Sequence, residues 1–146
     1  MSEAARRLEL VLETAPARLM QIADDDAARP RDSGGWSKKQ ILGHLIDSAG
    51  NNHQRFVRAQ LTPALEFPPY QQALWVSAQS YASEPWLDLV NLWLLFNRHL
   101  AHLMRHTPAE CLSHTCAIGA SAPVTLAFLM DDYVRHLEHH LEQLFD

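Results

Sequence analysis

Apolar side chains recur at intervals of three and four residues through most of the chain, and this spacing limits the possible folds more than any other feature. One such apolar arc, near the carboxyl end, consists of Leu126, Leu129, Met130, Tyr133, Leu137, Leu141 and Leu144. The spacing is typical of amphipathic α-helices. Only 5 of the 146 residues are glycine, and runs of β-branched residues are scarce. The pattern therefore predicts an all-α protein.

The first two long helices differ in their sequence signals, because one has a clear start and the other contains a proline. Ser37 and Gln40 have the spacing of a capping box, which predicts the start of a helix that ends near Leu61. The preceding helix, over about residues 2–24, contains Pro16. Because proline removes a helical hydrogen bond and clashes with the preceding turn, we expect this helix to be broken or kinked near residues 14–15.

The second half of the chain predicts two more long helices. Ser83 is the expected N-cap of a helix that continues to about His106, and Thr125 is the expected N-cap of the last one. A short helix is predicted over residues 71–81, with Trp75 on its buried side. Four long helices of this length predict a four-helix bundle.

Length and charge narrow the class of protein. A chain of 146 residues predicts one domain, residues 1–146. Its net charge of −5 argues against nucleic-acid binding, which requires a basic surface. No apolar run is long enough to cross a membrane, and the charged amino terminus is unlike a signal peptide, so we expect a cytoplasmic protein. Cys111 and Cys116 are too few for a disulfide framework.

Nine histidines are unusual for a chain of this size, and their positions suggest a metal site. His136 and His140 lie one turn apart on the edge of the apolar arc, an arrangement by which a helix supplies two imidazoles to one ion. On the second helix, periodicity does not decide between His44, on a polar stripe, and His53, nearer the apolar side.

The third long helix carries a further set of histidines on one flank, His99, His102 and His106. Three imidazoles on one short helical stretch cannot all reach one tetrahedral ion well. This set is therefore a rival metal site of two ligands at most, or a polar flank or dimer edge, and the second interpretation is preferred.

Two segments together resemble the DinB/YfiT-like superfamily: GGWSKKQILGHLIDSAGNNHQRF and DDYVRHLEHHLEQL. The resemblance implies a four-helix bundle of the DinB/YfiT type, commonly a homodimer, in which three histidines hold a divalent ion such as nickel or zinc. The ligand positions fall on His44, His136 and His140. His53, His139 and the histidines of the third helix do not match ligand positions.

The resemblance also implies a class of chemistry. Three imidazoles leave open positions, so that a metal-bound water or thiolate would be the reactive group. Relatives include S-transferases that use a low-molecular-weight thiol, bacillithiol or mycothiol, as co-substrate, and metal-dependent hydrolases. We therefore expect an enzyme acting on a small molecule. The alternative is a non-catalytic metal-binding module for stress response or interaction.

Other polar residues of the same helices are candidates for supporting roles. Asn51, Asn52 and Arg55 are expected to line the pocket and to hold a carboxylate or a thiol cofactor. Asp47 and Asp132 are candidates to accept a hydrogen bond from a ligand imidazole. Because histidine must be neutral to bind a metal, metal affinity is expected to fall below about pH 6.5.

Overall fold

Four long helices dominate the computed structural model, which describes residues 2–146. The six helices are α1 (Glu3–Met20), α2 (Asp24–Ala28), α3 (Lys38–Leu61), α4 (Gln72–Ala78), α5 (Trp86–His106) and α6 (Leu126–Leu144). Three short strands lie between them: β1 (Ala64–Phe67), β2 (Thr115–Ile118) and β3 (Val124–Thr125).

The four long helices form a closed ring around one apolar core. α1 packs on α5 and α6, and α3 packs on the same two helices from the other side. The largest fully buried side chains include Trp86, Trp93 and Phe56. This arrangement confirms the predicted four-helix bundle. None of the helices within residues 2–146 combines the length and the apolar character that crossing a membrane requires.

The capping residues predicted for α3 and α6 are confirmed. The Ser37 hydroxyl accepts from the backbone N–H of Gln40 at 3.3 Å, and the Gln40 side chain accepts from the backbone N–H of Ser37 at 3.0 Å. At the start of α6, the Thr125 hydroxyl accepts from the N–H of Phe128 at 3.1 Å. These bonds satisfy N–H groups that have no partner within the helix.

The prediction of Ser83 as the cap of α5 was wrong, because a distant carboxylate satisfies that helix end. Ser83 lies in a short 3-10 turn and donates to the carbonyl of Ser80 at 2.9 Å. α5 begins at Trp86, whose N–H donates to Oδ1 of Asp24 at 2.8 Å. Asp24, at the start of α2, thus supplies the capping oxygen that a residue next to the helix normally provides.

The predicted break in α1 was also wrong, because the helix continues through Pro16 to Met20. Leu8, Ala15 and Leu19 lie on both sides of the proline along the helix, and all three are buried in the core. Burial of this continuous apolar face outweighs the hydrogen bond that Pro16 cannot make.

The short helix predicted after α3 is present as α4, but its orientation differs from the prediction. Trp75 is 42% exposed, and Val76 is the buried residue of α4. The indole of Trp75 packs instead against Tyr70, with ring centroids 5.1 Å apart. Trp75 therefore packs on a half-buried tyrosine and does not fill the core.

A small sheet links the end of α3 to the start of α6 and was not predicted. β1 pairs with β2 in parallel, from Ala64 opposite Thr115 to Phe67 opposite Ile118. β3 pairs with β2 in the antiparallel sense and leads directly into α6. Strands of two to four residues are too short to show an alternating apolar pattern in the sequence.

Candidate metal centre

Three histidines from two helices converge at one end of the bundle. The Phe56 and Tyr133 rings meet with centroids 5.9 Å apart, and the His44 and His140 rings with centroids 4.9 Å apart. α3 and α6 are therefore antiparallel, since higher numbers on one helix meet lower numbers on the other. His136 lies one turn from His140, and one nitrogen from each histidine lies within 4.8 Å of the other two.

The spacing of the imidazole nitrogens fits a metal ion. Nε2 of His44 and Nε2 of His136 are 3.2 Å apart. Two nitrogens on one tetrahedral zinc, at bond lengths of about 2.0–2.1 Å, are separated by about 3.3 Å. Nδ1 of His44 is buried and has no hydrogen-bond partner within residues 2–146. The donor set thus suits a divalent ion of the kind that imidazole ligands prefer.

Burial keeps two of these imidazoles neutral. Loss of hydration, assisted by the neighbouring His136 and His140, lowers the pKa of His44 to about 4. Burial also lowers the pKa of His136 to about 4, assisted by His140 and opposed by the carboxylate of Asp132. A metal ligand must be unprotonated, so both rings are ready to bind at neutral pH.

The orientation of the third imidazole is held by a residue that was not predicted. Nδ1 of His140 lies 2.9 Å from Oε1 of Gln143. Because the amide oxygen only accepts, the proton sits on Nδ1 and Nε2 keeps its lone pair. The signal available in the sequence was an amide three residues after a candidate ligand on the same helix face.

The two carboxylates expected to support the ligands bind elsewhere. Asp132 is exposed and accepts from Arg135 at 3.2 Å. Oδ1 of the buried Asp47 accepts from the Tyr81 hydroxyl and from the Gln79 amide, both at 2.7 Å. Burial raises the pKa of Asp47. Asp47 therefore anchors the segment around Tyr81 and does not hydrogen-bond an imidazole in this structure.

Tyr81 also contacts α3 beside His44. A Cβ atom placed on Gly43 would lie 2.2 Å from the Tyr81 ring. The absence of a side chain at this position lets the ring pack directly on the helix backbone. Trp36 packs against His44 itself, with ring centroids 5.1 Å apart. His44 is consequently 1% exposed, although periodicity placed it on a polar stripe.

A pocket of about 270 Å³ opens next to His136. Residues of α3 that line it are Ser48, Asn52 and Arg55, and other lining residues include Tyr70 and Asp132. Asn51 does not line this pocket, and its amide donates to the carbonyl of Asp47 at 2.9 Å. Of the three residues predicted for the pocket, the structure places Asn52 and Arg55 there.

The remaining histidines lie outside this cluster. His53 is half-buried against Phe96 and His99, with ring centroids 5.6 and 5.3 Å from its own. His102 and His106 are exposed on α5. Within residues 2–146, the only group of three or more potential ligands close enough to share one ion is that of His44, His136 and His140.

The two cysteines are free and buried. Cys116 is completely covered, and this burial raises its pKa, which favours the unreactive thiol over the thiolate. Neither cysteine lines the pocket beside His136. Both therefore behave as small apolar residues of the core.

Comparison with known proteins identifies the family of this chain. The sequence model of the DinB superfamily matches residues 7–144. The chain belongs to the DinB superfamily. The chain is also similar to the Bacillus subtilis protein named "Putative metal-dependent hydrolase YfiT", with 30% identity over 141 residues. The match covers 92% of this chain and 78% of that protein.

Two solved structures have the same fold as this chain. The structure of Bacillus subtilis YfiT, described as an unusual four-helix bundle, superposes with a TM-score of 0.83 at 23% identity. It covers 99% of this chain and 86% of the YfiT chain. A mycothiol-dependent maleylpyruvate isomerase superposes with a TM-score of 0.80 at 14% identity, over 97% of this chain and 59% of that one. These matches establish the fold.

Proposed function

We propose that this protein is a metal-dependent hydrolase of a small molecule, in which His44, His136 and His140 hold one divalent ion. The observation that supports the proposal is the convergence of three imidazoles, two of them with Nε2 atoms 3.2 Å apart. The name of the relative YfiT supports the hydrolase class. The whole of residues 1–146 acts as one domain in this proposal.

In this proposal, some residues of the chain hold the ion and others hold the substrate. Three protein ligands leave open positions at which a bound ion would polarise a substrate oxygen or acidify a water. His136 borders the pocket, so a molecule bound there reaches the metal centre. Ser48 and Asn52 offer hydrogen bonds, and Asp132 places a carboxylate in the same pocket that can accept a proton.

A second candidate function is transfer of a low-molecular-weight thiol to an electrophile. It is favoured by the fold match to the mycothiol-dependent isomerase over 97% of this chain. Neither Cys111 nor Cys116 lines the pocket, so the thiol in such a reaction would come from a co-substrate. In this candidate, an ion held by the three histidines would supply an open position for a thiolate instead of water.

Elemental analysis of the purified, untagged protein tests the metal site on which both candidates depend. We expect about one divalent ion per chain, lost in His136→Ala and retained in His139→Ala. His139 is a matched control because it is exposed and adjacent to His140 on α6. Equal metal content in the two variants, or no metal after reconstitution, would rule out the proposed centre.

Activity then separates the two candidates. Metal-loaded protein is incubated with a panel of esters and amides, and in parallel with an electrophile and a thiol. Turnover of an ester or amide without thiol, abolished in His136→Ala, supports the hydrolase. Turnover that requires the thiol supports the transferase. Metal binding with no turnover in either panel would favour a non-catalytic metal-binding module.

A further inference from the structure

One cation of the bundle is buried without a counter-charge. Arg55 is 8% exposed, yet it forms no ion pair with a carboxylate of residues 2–146. Its Nε has no hydrogen-bond partner in the same part of the chain. The contact it does make is with the ring of Phe67, whose centroid lies 5.3 Å from the guanidinium carbon.

Lys39, the other buried cation of α3, has a counter-charge. Lys39 is 3% exposed, and its ammonium lies 3.0 Å from a carboxylate oxygen of Asp24. Removing a charge from water is costly unless a partner compensates for the lost hydration. Lys39 has that partner within the chain, whereas Arg55 does not. The uncompensated guanidinium therefore requires a reason other than stability.

The position of Arg55 supplies that reason. Ser48, Asn52 and Arg55 lie on successive turns of α3 along one face and line the pocket that His136 borders. The side chain of a helical residue leans towards the amino terminus of its helix, which for Arg55 is the direction of His44. A single bound molecule in this pocket can therefore contact both Arg55 and the metal centre.

The other groups around the pocket leave Arg55 as its free positive charge. Asp132 is the carboxylate of the lining, and it is exposed and paired with Arg135. Burial raises the pKa of Tyr70, which keeps its hydroxyl uncharged. One unpaired guanidinium offers a single positive charge, which matches one carboxylate group.

We propose that Arg55 is the anion subsite of this pocket and that it binds the carboxylate of a small, singly charged substrate. The planar guanidinium holds the two carboxylate oxygens side by side, and the rest of the molecule extends towards His136. A volume of about 270 Å³ restricts the ligand to a small molecule. That the bound molecule reacts near His136 rests on the proposed function, whereas the binding of its carboxylate by Arg55 does not.

Binding of benzoate and of its neutral analogue benzamide tests the subsite. Saturation-transfer NMR on the full-length protein gives both affinities, and metal content is measured on the same samples. Arg55→Met removes the charge at similar volume, and Arg55→Lys retains charge without the planar fork. Arg58→Met is the matched control, since Arg58 is one turn away and exposed, and donates to Gln54 at 2.9 Å.

We expect benzoate to bind at least about tenfold more tightly than benzamide, and Arg55→Met to remove this preference. Arg58→Met should bind as the unaltered protein does, and Arg55→Lys should be intermediate. Metal content should be unchanged in all three variants. A protein that binds no metal but shows this dependence on Arg55 would support the subsite and remove the proposed hydrolase.

Three results would overturn the proposal. Equal affinity of the unaltered protein and Arg55→Met for benzoate would show that the carboxylate binds elsewhere, for example on the metal. Equal affinity for benzamide and benzoate, or no detectable benzoate binding, would show that the guanidinium recognises no anion. Should Arg55→Met fail to fold, Arg55→Lys decides, because unweakened benzoate binding by that variant excludes the paired geometry.

Discussion

Oε1 of Gln143 accepts a hydrogen bond from Nδ1 of His140 at 2.9 Å, one turn further along α6. This contact selects the tautomer in which Nε2 of His140 carries the lone pair, and it limits rotation of the ring. An outer hydrogen bond of this kind increases the metal affinity of a histidine and is often supplied by a carboxylate. Here a neutral amide on the same helix provides it.

Gln143→Ala should therefore weaken metal binding without removing the site. We expect the affinity to fall by about 10–100-fold, the usual effect of losing such a partner. Competition with a chromophoric chelator measures it. Gln54→Ala, which changes an exposed glutamine of α3, serves as the control. Equal affinities for the Gln143→Ala variant and the unaltered protein would show that the hydrogen bond does not orient the ligand.

Acid should destabilise the metal-free protein over a defined pH range. Unfolded histidine takes up a proton near pH 6.5, whereas folded His44 and His136 resist protonation until about pH 4. Unfolding in this range therefore binds protons, and the free energy of unfolding should decrease as the pH falls from 6.5 to 4. Well above pH 6.5, where unfolded histidine is also neutral, these two groups should contribute no pH dependence.

Urea unfolding of the metal-free protein at several pH values measures this slope. The double variant His44→Gln, His136→Gln should show a shallower slope, because it lacks the two imidazoles that take up protons on unfolding. Identical slopes would mean that the two imidazoles are not held neutral by burial. The same lowered pKa values move the expected loss of metal to lower pH than the 6.5 predicted from free histidine.

Two glycines of α3 should respond in opposite directions to replacement by alanine. Gly43→Ala would push a methyl group into the Tyr81 ring and should destabilise the protein by about 1–3 kcal/mol. A Cβ on Gly50 meets no heavy atom within 4 Å, so Gly50→Ala should stabilise α3 by about 0.5–1 kcal/mol. Chemical denaturation of both variants gives these values, and a stable Gly43→Ala variant would contradict the packing.

The capping box of α3 should contribute measurably to stability. Ser37→Ala removes the acceptor for the N–H of Gln40 and should cost about 0.5–2 kcal/mol in free energy of unfolding. Ser33→Ala, at an exposed position of the preceding loop, is the control. A loss no larger than that of the control would indicate that packing of Trp36 alone fixes the start of α3.

Local signals in the sequence predicted the parts of the fold that depend on local chemistry. The caps at Ser37 and Thr125 were found because their hydrogen bonds join residues three positions apart. The start of α5 was misplaced because its acceptor, Asp24, lies 62 positions away. No pattern of nearby residues carries that information.

The residues of the candidate site were likewise predictable only where the signal lies within one helix. The spacing of His136 and His140 was enough to suggest two ligands on one helix. Periodicity left the choice between His44 and His53 open. The helical angle gives the position of a residue around the axis of its helix, but not the neighbouring helix that the residue contacts. Packing of α3 against α6 brings His44 to the pair and leaves His53 beside Phe96.

The small sheet has a consequence for how this protein can change over evolution. β1 follows α3, β3 precedes α6, and both strands pair with β2. The sheet therefore joins the carboxyl end of α3 to the amino end of α6, the two helices that carry the histidines. Residues inserted at the turn after Gly119 would lengthen only the hairpin of β2 and β3. A single residue inserted between Thr125 and His136 would instead rotate both α6 imidazoles by about 100° away from His44. Length variation among homologues should accordingly concentrate at the hairpin and avoid the first half of α6.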